Sequence, residues 1–280
     1  MGDSSQGSRC IFCGGKNLSK EEIFPHWINR ILPPGQTVVR HDKDQMQKLV
    51  GRQMTRQFSG SGKFQRPHGL GPKAIKVVCT KCNNGWMSSL QDAAKHPMTP
   101  LIHGNWGRLS DKDCTALATW ATMHSMVRQF ADNSRAIGSD ELKRFYGSQR
   151  ALSNWYIWVA RYTGTGPDRI SSFSAIRPKP LPGTPTGEHF VGHTHVSFII
   201  AGQLIFHCVS STRTDIFPFL NSRYNERLGF APIWFGAALS FSSTPTLIGD
   251  RDFMALRDNT TNALLSFFND RSDGARFHAS

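Results

Sequence analysis

Four cysteines carry the most readable chemistry in this chain. They form two short pairs, Cys10-Ile11-Phe12-Cys13 and Cys79-Thr80-Lys81-Cys82, among six cysteines in 280 residues. A two-residue spacer lets both sulfurs of a pair reach one tetrahedral ion, and thiolates bind zinc tightly. The flanking residues suit such knuckles. Gly14-Gly15 permits a tight turn after the first pair, and Asn83-Asn84-Gly85-Trp86 leads from the second into a helix. The alternative is one redox pair beside a coincidental second. The presence of two like pairs favours a single structural Zn2+ held by Cys10, Cys13, Cys79 and Cys82. Cys114 and Cys208 stand alone and read as small buried hydrophobes.

Other candidates are weaker. In Gly187-Glu188-His189-Phe190-Val191-Gly192-His193-Thr194-His195, two histidines would share one face of a strand, as two metal ligands do, but no third ligand is identifiable. Ordinary strand or loop histidines are the better expectation. Trp155, Tyr156 and Trp158 have the surfaces to stack on bases, yet such a run is expected in a core.

The elements that must position the cysteines follow from pattern. Glu21 to Phe24 reads as extended, and Pro25 prevents one helix from running through it. Trp27, Ile28, Ile31 and Leu32 then recur at helical spacing from about His26. Residues 33–76 hold nine Lys/Arg and two Asp, and include the flexible Ser59-Gly60-Ser61-Gly62. Ala74 to Val78 reads as a strand running into Cys79. Trp86, Leu90, Ala93 and Ala94 predict a helix that stops before Pro97, with a connector over 96–109. Ser110 with Asp113 predicts the start of a strong helix whose buried face is Leu117, Trp120, Ala121, His124, Val127 and Ala131. Strand-like runs follow at 155–162, 172–176, 195–200 and 204–209, with a hairpin turn at Ala201-Gly202-Gln203 and a helix near 250–257. The fold class is therefore α+β: a small zinc module over 1–95 with a basic insertion at 33–76, then an α+β domain with antiparallel strands over 96–280.

Charge narrows the partner. The chain carries 33 Lys+Arg against 20 Asp+Glu, a formal +13, and residues 1–95 hold 15 of the basic side chains but only 6 of the acidic ones. A basic N-terminal third suits a polyanion, most simply nucleic acid, whereas the plainer alternative is solubility. The lysines and arginines of 36–76 would grip phosphates. No window is long and apolar enough for a membrane span, and the first residues lack the apolar run of a secretory signal. A cytoplasmic protein with reduced cysteines is expected.

The order of these pieces resembles the HNH endonuclease superfamily in its treble-clef form, in which two zinc knuckles surround a ββα unit. The resemblance rests on Cys10 to Gly14, on Glu21-Glu22-Ile23-Phe24-Pro25-His26-Trp27, on Cys79 to Leu90, and on the run from Ala93 to Gly104 followed by Trp120-Ala121. It covers residues 10–131 and is faint beyond. It implies hydrolysis of DNA phosphodiesters with Mg2+ or another divalent cation, which polarises the phosphoryl oxygen. It also implies a strand residue that accepts a proton from water, a preceding acid that holds the cation, and an asparagine at the helix start that orients the base. Glu22 occupies the position of the family's histidine, Glu21 that of the preceding acid, and Asn83, with Asn84 beside it, that of the asparagine. Gln91 replaces the acid that closes the family motif. His26 is the alternative base, against a plain surface histidine. Two expectations follow: an endonuclease using Glu21, Glu22, Asn83 and His26, or a catalytically degenerate relative that binds nucleic acid or a protein without cleaving.

Overall fold

Strand β1 (Leu18–Glu22) leaves the first knuckle and ends before Pro25, which heads the short helix α1 (His26–Ile31). The computed structural model describes residues 9–32, 45–50, 53–58, 74–131, 136–165, 169–176, 194–213, 215–221, 228–234, 239–240 and 247–274. Strands β2 (Gln45–Val50) and β3 (Gln53–Phe58) form an antiparallel hairpin, and β4 (Ala74–Cys79) returns to pair antiparallel with β1. The hairpin lies inside the stretch read from sequence as a basic loop. Gln, Lys and Arg occur at both parities of its two strands, so no clean alternation marks a buried face. Ser59 to Gly62 lie outside the described residues.

From Cys79 the chain turns through α2 (Thr80–Cys82) and a π-type segment (Asn83–Met87) kinked at Gly85 into α3 (Ser88–Ile102). This corrects the expected stop before Pro97: the helix runs through Pro97 and Pro100. Each proline removes one backbone hydrogen bond. Burial of Ala94, Pro97, Met98, Leu101 and Ile102 offsets that loss, since a fully buried large apolar side chain is worth about 1.5–3 kcal/mol. The expected boundary at residue 95 thus falls within one continuous helix.

Strand β5 (Arg108–Leu109) precedes α4 (Asp111–Arg128), which opens on a capping box between Ser110 and Asp113, as the sequence predicts. The helix does not bury a single stripe. Every residue from Leu117 to Arg128 is buried, polar ones included. The polar side chains find partners: Thr122 Oγ1 donates to Ala118 O, Ser125 and Ser197 share a hydrogen bond of 2.7 Å, and Gln129 is bonded both ways with the backbone of Ile137. Helix α5 (Ser139–Ser148) follows; the sequence reading missed it.

The main sheet is built from β6 (Trp155–Tyr162), β7 (Arg169–Ile176), β8 (Thr194–Ala201) and β9 (Leu204–Ser211), ordered β6-β9-β8-β7 and antiparallel throughout. Helix α6 (Ile216–Leu220) comes next, and β10 (Ala231–Pro232) extends the sheet beside β6. The two-residue strand β11 (Leu239–Ser240) pairs with β5, β12 (Leu247–Ile248) runs parallel to β6, and α7 (Asp250–Gly274) is longer than the sequence implies. Both sheet faces are covered. Trp155, Ile157, Val159 and Phe206 join one buried cluster with α3, α4 and the cysteine knuckles. Tyr156, Trp158, Phe198 and Ile205 join a second with α6 and α7. That is why β8 and β9 are buried at every position. Trp155, Tyr156 and Trp158 are core residues, not a stacking platform. Among the described residues, no helix is long and apolar enough to cross a membrane.

Candidate metal centre and adjoining carboxylate pocket

The four paired cysteines converge. The sulfurs of Cys10, Cys13, Cys79 and Cys82 all lie within 4.8 Å of one another, although 65 residues separate the pairs. A tetrahedron with metal–sulfur bonds near 2.3 Å has edges of about 3.8 Å. The Cys13 and Cys79 sulfurs are 3.5 Å apart, and all six cysteines are free thiols. Four soft donors at this spacing fit a metal such as zinc. Burial pushes the Cys79 thiol up, but the Cys82 backbone N–H and the neighbouring thiols outweigh it and hold Cys79 down at about 7. Burial drives Cys82 above its ordinary value. A bound cation favours the thiolate at every position.

Local sequence makes the knuckles. Gly14 takes φ +70°, and its N–H returns to Cys10 O at 2.9 Å. A Cβ at Gly15 would lie 3.2 Å from Cys13 Sγ and 3.7 Å from Cys79 Sγ, so glycine keeps the approach to the sulfurs clear. Aromatic packing fixes the module from outside. Phe12 meets Trp86 edge-on at 5.0 Å, and Trp86 reaches Phe145 on α5 at 5.8 Å.

A bulge couples the first knuckle to the β1–β4 strand pair. Between the pairs Ser19↔Val78 and Glu21↔Ile75, β1 has one residue, Lys20, while β4 has two, Lys76 and Val77. The Val77 carbonyl accepts from Ile11 N–H at 3.0 Å. Asn83, at the start of the helical turn, donates to Ser19 Oγ at 3.1 Å and to Lys20 O at 3.4 Å. The strand carrying the two glutamates is therefore held from both knuckles.

Glu21 points into a cavity of about 20 Å³, lined among others by Glu22, Gln91, Trp120, His124 and Arg128. That volume suits about one water molecule. Glu21 is 8% exposed, and its Oε1 accepts from Gln91 Nε2 at 3.1 Å. Burial raises its pKa to about 7, the charge of Glu22 adds to the rise, and the amides of Gln91 and Asn83 oppose it. A carboxyl that titrates near neutrality can take or give a proton at working pH. His124, on α4, shares a 3.0 Å hydrogen bond with Ser171 Oγ; burial, then the charge of Arg128, lowers its pKa to about 3, so it is neutral.

The other site residues separate. Glu22 Oε2 accepts from Asn29 Nδ2 at 3.3 Å, and Asn29 Oδ1 in turn accepts from Arg169 Nη1 at 2.6 Å. The amide that holds Glu22 is therefore Asn29, whereas Asn83 holds the strand beside Glu21. His26 is exposed at the first position of α1 and does not line the cavity. His124, Arg128, Asn29 and Arg169 were not singled out as site residues from sequence; Arg128 and Arg169 come from elements remote in the chain, with no local motif to mark them. Glu188, His189 and His193 lie outside the described residues. His195 is buried, 5.8 Å from Trp155 ring to ring, and belongs to no cluster of metal-ligating groups among the described residues.

Comparison with family models, with curated proteins and with solved structures gives no match to this chain. The functional reading therefore rests on the geometry above.

Proposed function

We propose that this chain is an HNH-type endonuclease that hydrolyses DNA phosphodiester bonds with a divalent cation. The observation that carries the reading is the placement of Glu21 and Glu22 on the first strand of a hairpin that four clustered thiols tie to a helix beginning at Asn83. This arrangement has the parts of a zinc-stapled treble clef, with Cys10, Cys13, Cys79 and Cys82 as ligands of one structural Zn2+. A module of this size has little core of its own, and such an ion supplies folding free energy.

Mg2+ asks for only one or two protein carboxylates, with water and substrate phosphate completing its shell. Glu21, with Glu22 beside it, would hold it. When bound, such a cation neutralises charge on the phosphate and favours the leaving oxygen. In this reading Glu22, oriented by Asn29, receives a proton from the attacking water. Glu21 titrates where it can serve either role, and His26 stands outside the pocket as a reserve base. Asn83 holds β1 at Ser19 and Lys20, and both carboxyls line the cavity.

A second reading is favoured by one bond. Gln91 offers an amide to the Glu21 oxygen that a cation would need. In that reading the fold binds nucleic acid or a protein partner and has lost cleavage.

The test is nicking of supercoiled plasmid by the purified chain with Mg2+, with Mn2+ or without added divalent cation. Nicking that needs the cation and disappears in Glu21→Ala is the expected result; loss of a general base or its equivalent is worth roughly 10²–10⁴-fold in rate. Retention of DNA without nicking, with activity appearing only in Glu22→His, selects the second reading. A chain that neither retains nor nicks DNA contradicts the nuclease and the nucleic-acid form of the second reading.

A further inference from the structure

The charges of the cysteine module are segregated. Across residues 9–32 and 74–91 the six basic side chains, Arg9, Lys16, Lys20, Arg30, Lys76 and Lys81, are all exposed and no exposed residue is acidic; the first exposed acid, Asp92, follows on α3. The two carboxylates of these stretches are taken up elsewhere, Glu21 by Gln91 and Glu22 by Asn29. None of the six cations joins an ion pair among the described residues.

The hairpin register orders these cations. Lys20 lies across from the bulge formed by Lys76 and Val77. Lys20 and Lys76 are exposed at this bulge, whereas the next pair, Glu21 and Ile75, is buried. Two exposed lysines thus meet at the bulge, and like charges close together on neighbouring strands destabilise their pairing. Just before β1, the Asn17 carbonyl accepts from Thr80 N–H at 3.1 Å. Lys16 and Lys81 flank that contact.

We propose that this outward face of the β1–β4 hairpin seats the phosphate backbone of duplex DNA, with Lys20 and Lys76 on neighbouring phosphates and Lys16 and Lys81 continuing the track toward the knuckles. The assignment rests on the nucleic-acid reading above and adds the surface to it. A duplex presents one phosphate per 3.4 Å of axis on each strand, so a row of cations along the β1–β4 pair meets several at once. The same neutralisation removes the repulsion between the facing lysines.

The experiment is a salt titration of binding by the full chain to a short fluorescein-labelled duplex, read by fluorescence anisotropy. The Lys20→Gln/Lys76→Gln double variant is compared with wild type and with Lys143→Gln. Lys143 is exposed on α5 beside Asp140. Neutral side chains of similar shape, one atom shorter, leave the strand pair intact on an exposed face. The double variant should bind more weakly on every sequence, with the slope of log K against log salt shallower by about 2, while Lys143→Gln keeps the wild-type slope. Wild-type binding with an unchanged slope in the double variant overturns the surface and leaves the DNA reading standing. Absence of wild-type binding overturns both. Tighter capture of polyglutamate than of the duplex, through the same lysines, overturns DNA as the occupant.

Discussion

The Gln91 side-chain amide donates to Glu21 Oε1 across 3.1 Å and so joins helix α3 to strand β1 at the mouth of the small cavity. An amide cannot ligate a hard cation through its nitrogen, but it can quench one carboxylate oxygen. A second carboxylate at this distance would change that. Gln91→Glu places two acids side by side, and without a cation one of them must keep its proton. We expect a lower melting temperature than wild type without added divalent cation and a larger rise than wild type on adding Mn2+, because binding to the folded state alone stabilises it. An equal response of the two proteins to Mn2+ would show that the cavity is not a cation site in waiting.

The Glu21 carboxyl makes stability depend on pH in a defined sense. Its folded pKa is raised from 4.5 to about 7, chiefly by burial. Within that window the folded chain keeps a proton that the unfolded chain has released. Its contribution is therefore present below the lower value and is lost as pH rises through the upper one, by about 1.4 kcal/mol per pH unit. Glu21→Gln removes the loss. Urea unfolding should find the variant more stable than wild type by about 2–3 kcal/mol near pH 8 and nearly equal near pH 4.5. A constant difference across the range would place the Glu21 carboxyl in an ordinary, solvated setting.

Two buried histidines act in the opposite direction. Burial, with the charge of Arg128, lowers both His124 and His195 from 6.5 to about 3. The unfolded chain gains protons below the upper value that the folded chain refuses, so this stability is lost as pH falls from 6.5 toward 3. Between 4.5 and 6.5 two histidines outweigh one glutamate, and stability rises with pH. Unfolding free energies measured across pH should therefore peak close to neutrality, and His195→Gln should flatten the acid limb. A stability maximum near pH 4.5 would contradict the buried neutral state.

Most of the scaffold was legible because its signals are local. Paired cysteines, Pro25, the Ser110–Asp113 capping box and the turn at Gly202 each act within a few residues. What escaped depends on distant packing. Helix α3 survives two prolines only because α4 and the sheet bury its side chains. Helix α5 carries Leu142 and Phe145 inward on an otherwise polar surface, too few apolar residues to register. In the site, Glu21 and Glu22 stood out through a motif, but the partners that decide their chemistry lie on other elements. Gln91 sits one helix away, and Arg169 reaches Glu22 through Asn29 from a strand 140 residues on.

That relay can be measured. Arg169 is 5% exposed, and its 2.6 Å bond to Asn29 is among the shorter ones in the chain. Hydrogen bonds to charged groups are worth about 1.5–3 kcal/mol, and leaving the guanidinium short of an acceptor adds to the loss. Asn29→Ala and Arg169→Lys should each destabilise by about 2 kcal/mol, and the double variant by clearly less than their sum. Additive effects would mean that the two side chains act independently and that Glu22 is held by Asn29 alone.

The proposed function requires one ion on the four thiols that fastens the glutamate strand to the helix. Native mass spectrometry of the chain as purified, before and after a chelator, measures this directly. The account predicts one zinc per chain, lost together with folded structure on chelation and absent from Cys10→Ser/Cys79→Ser. A folded chain of bare mass, with all four thiols open to alkylation, would contradict it.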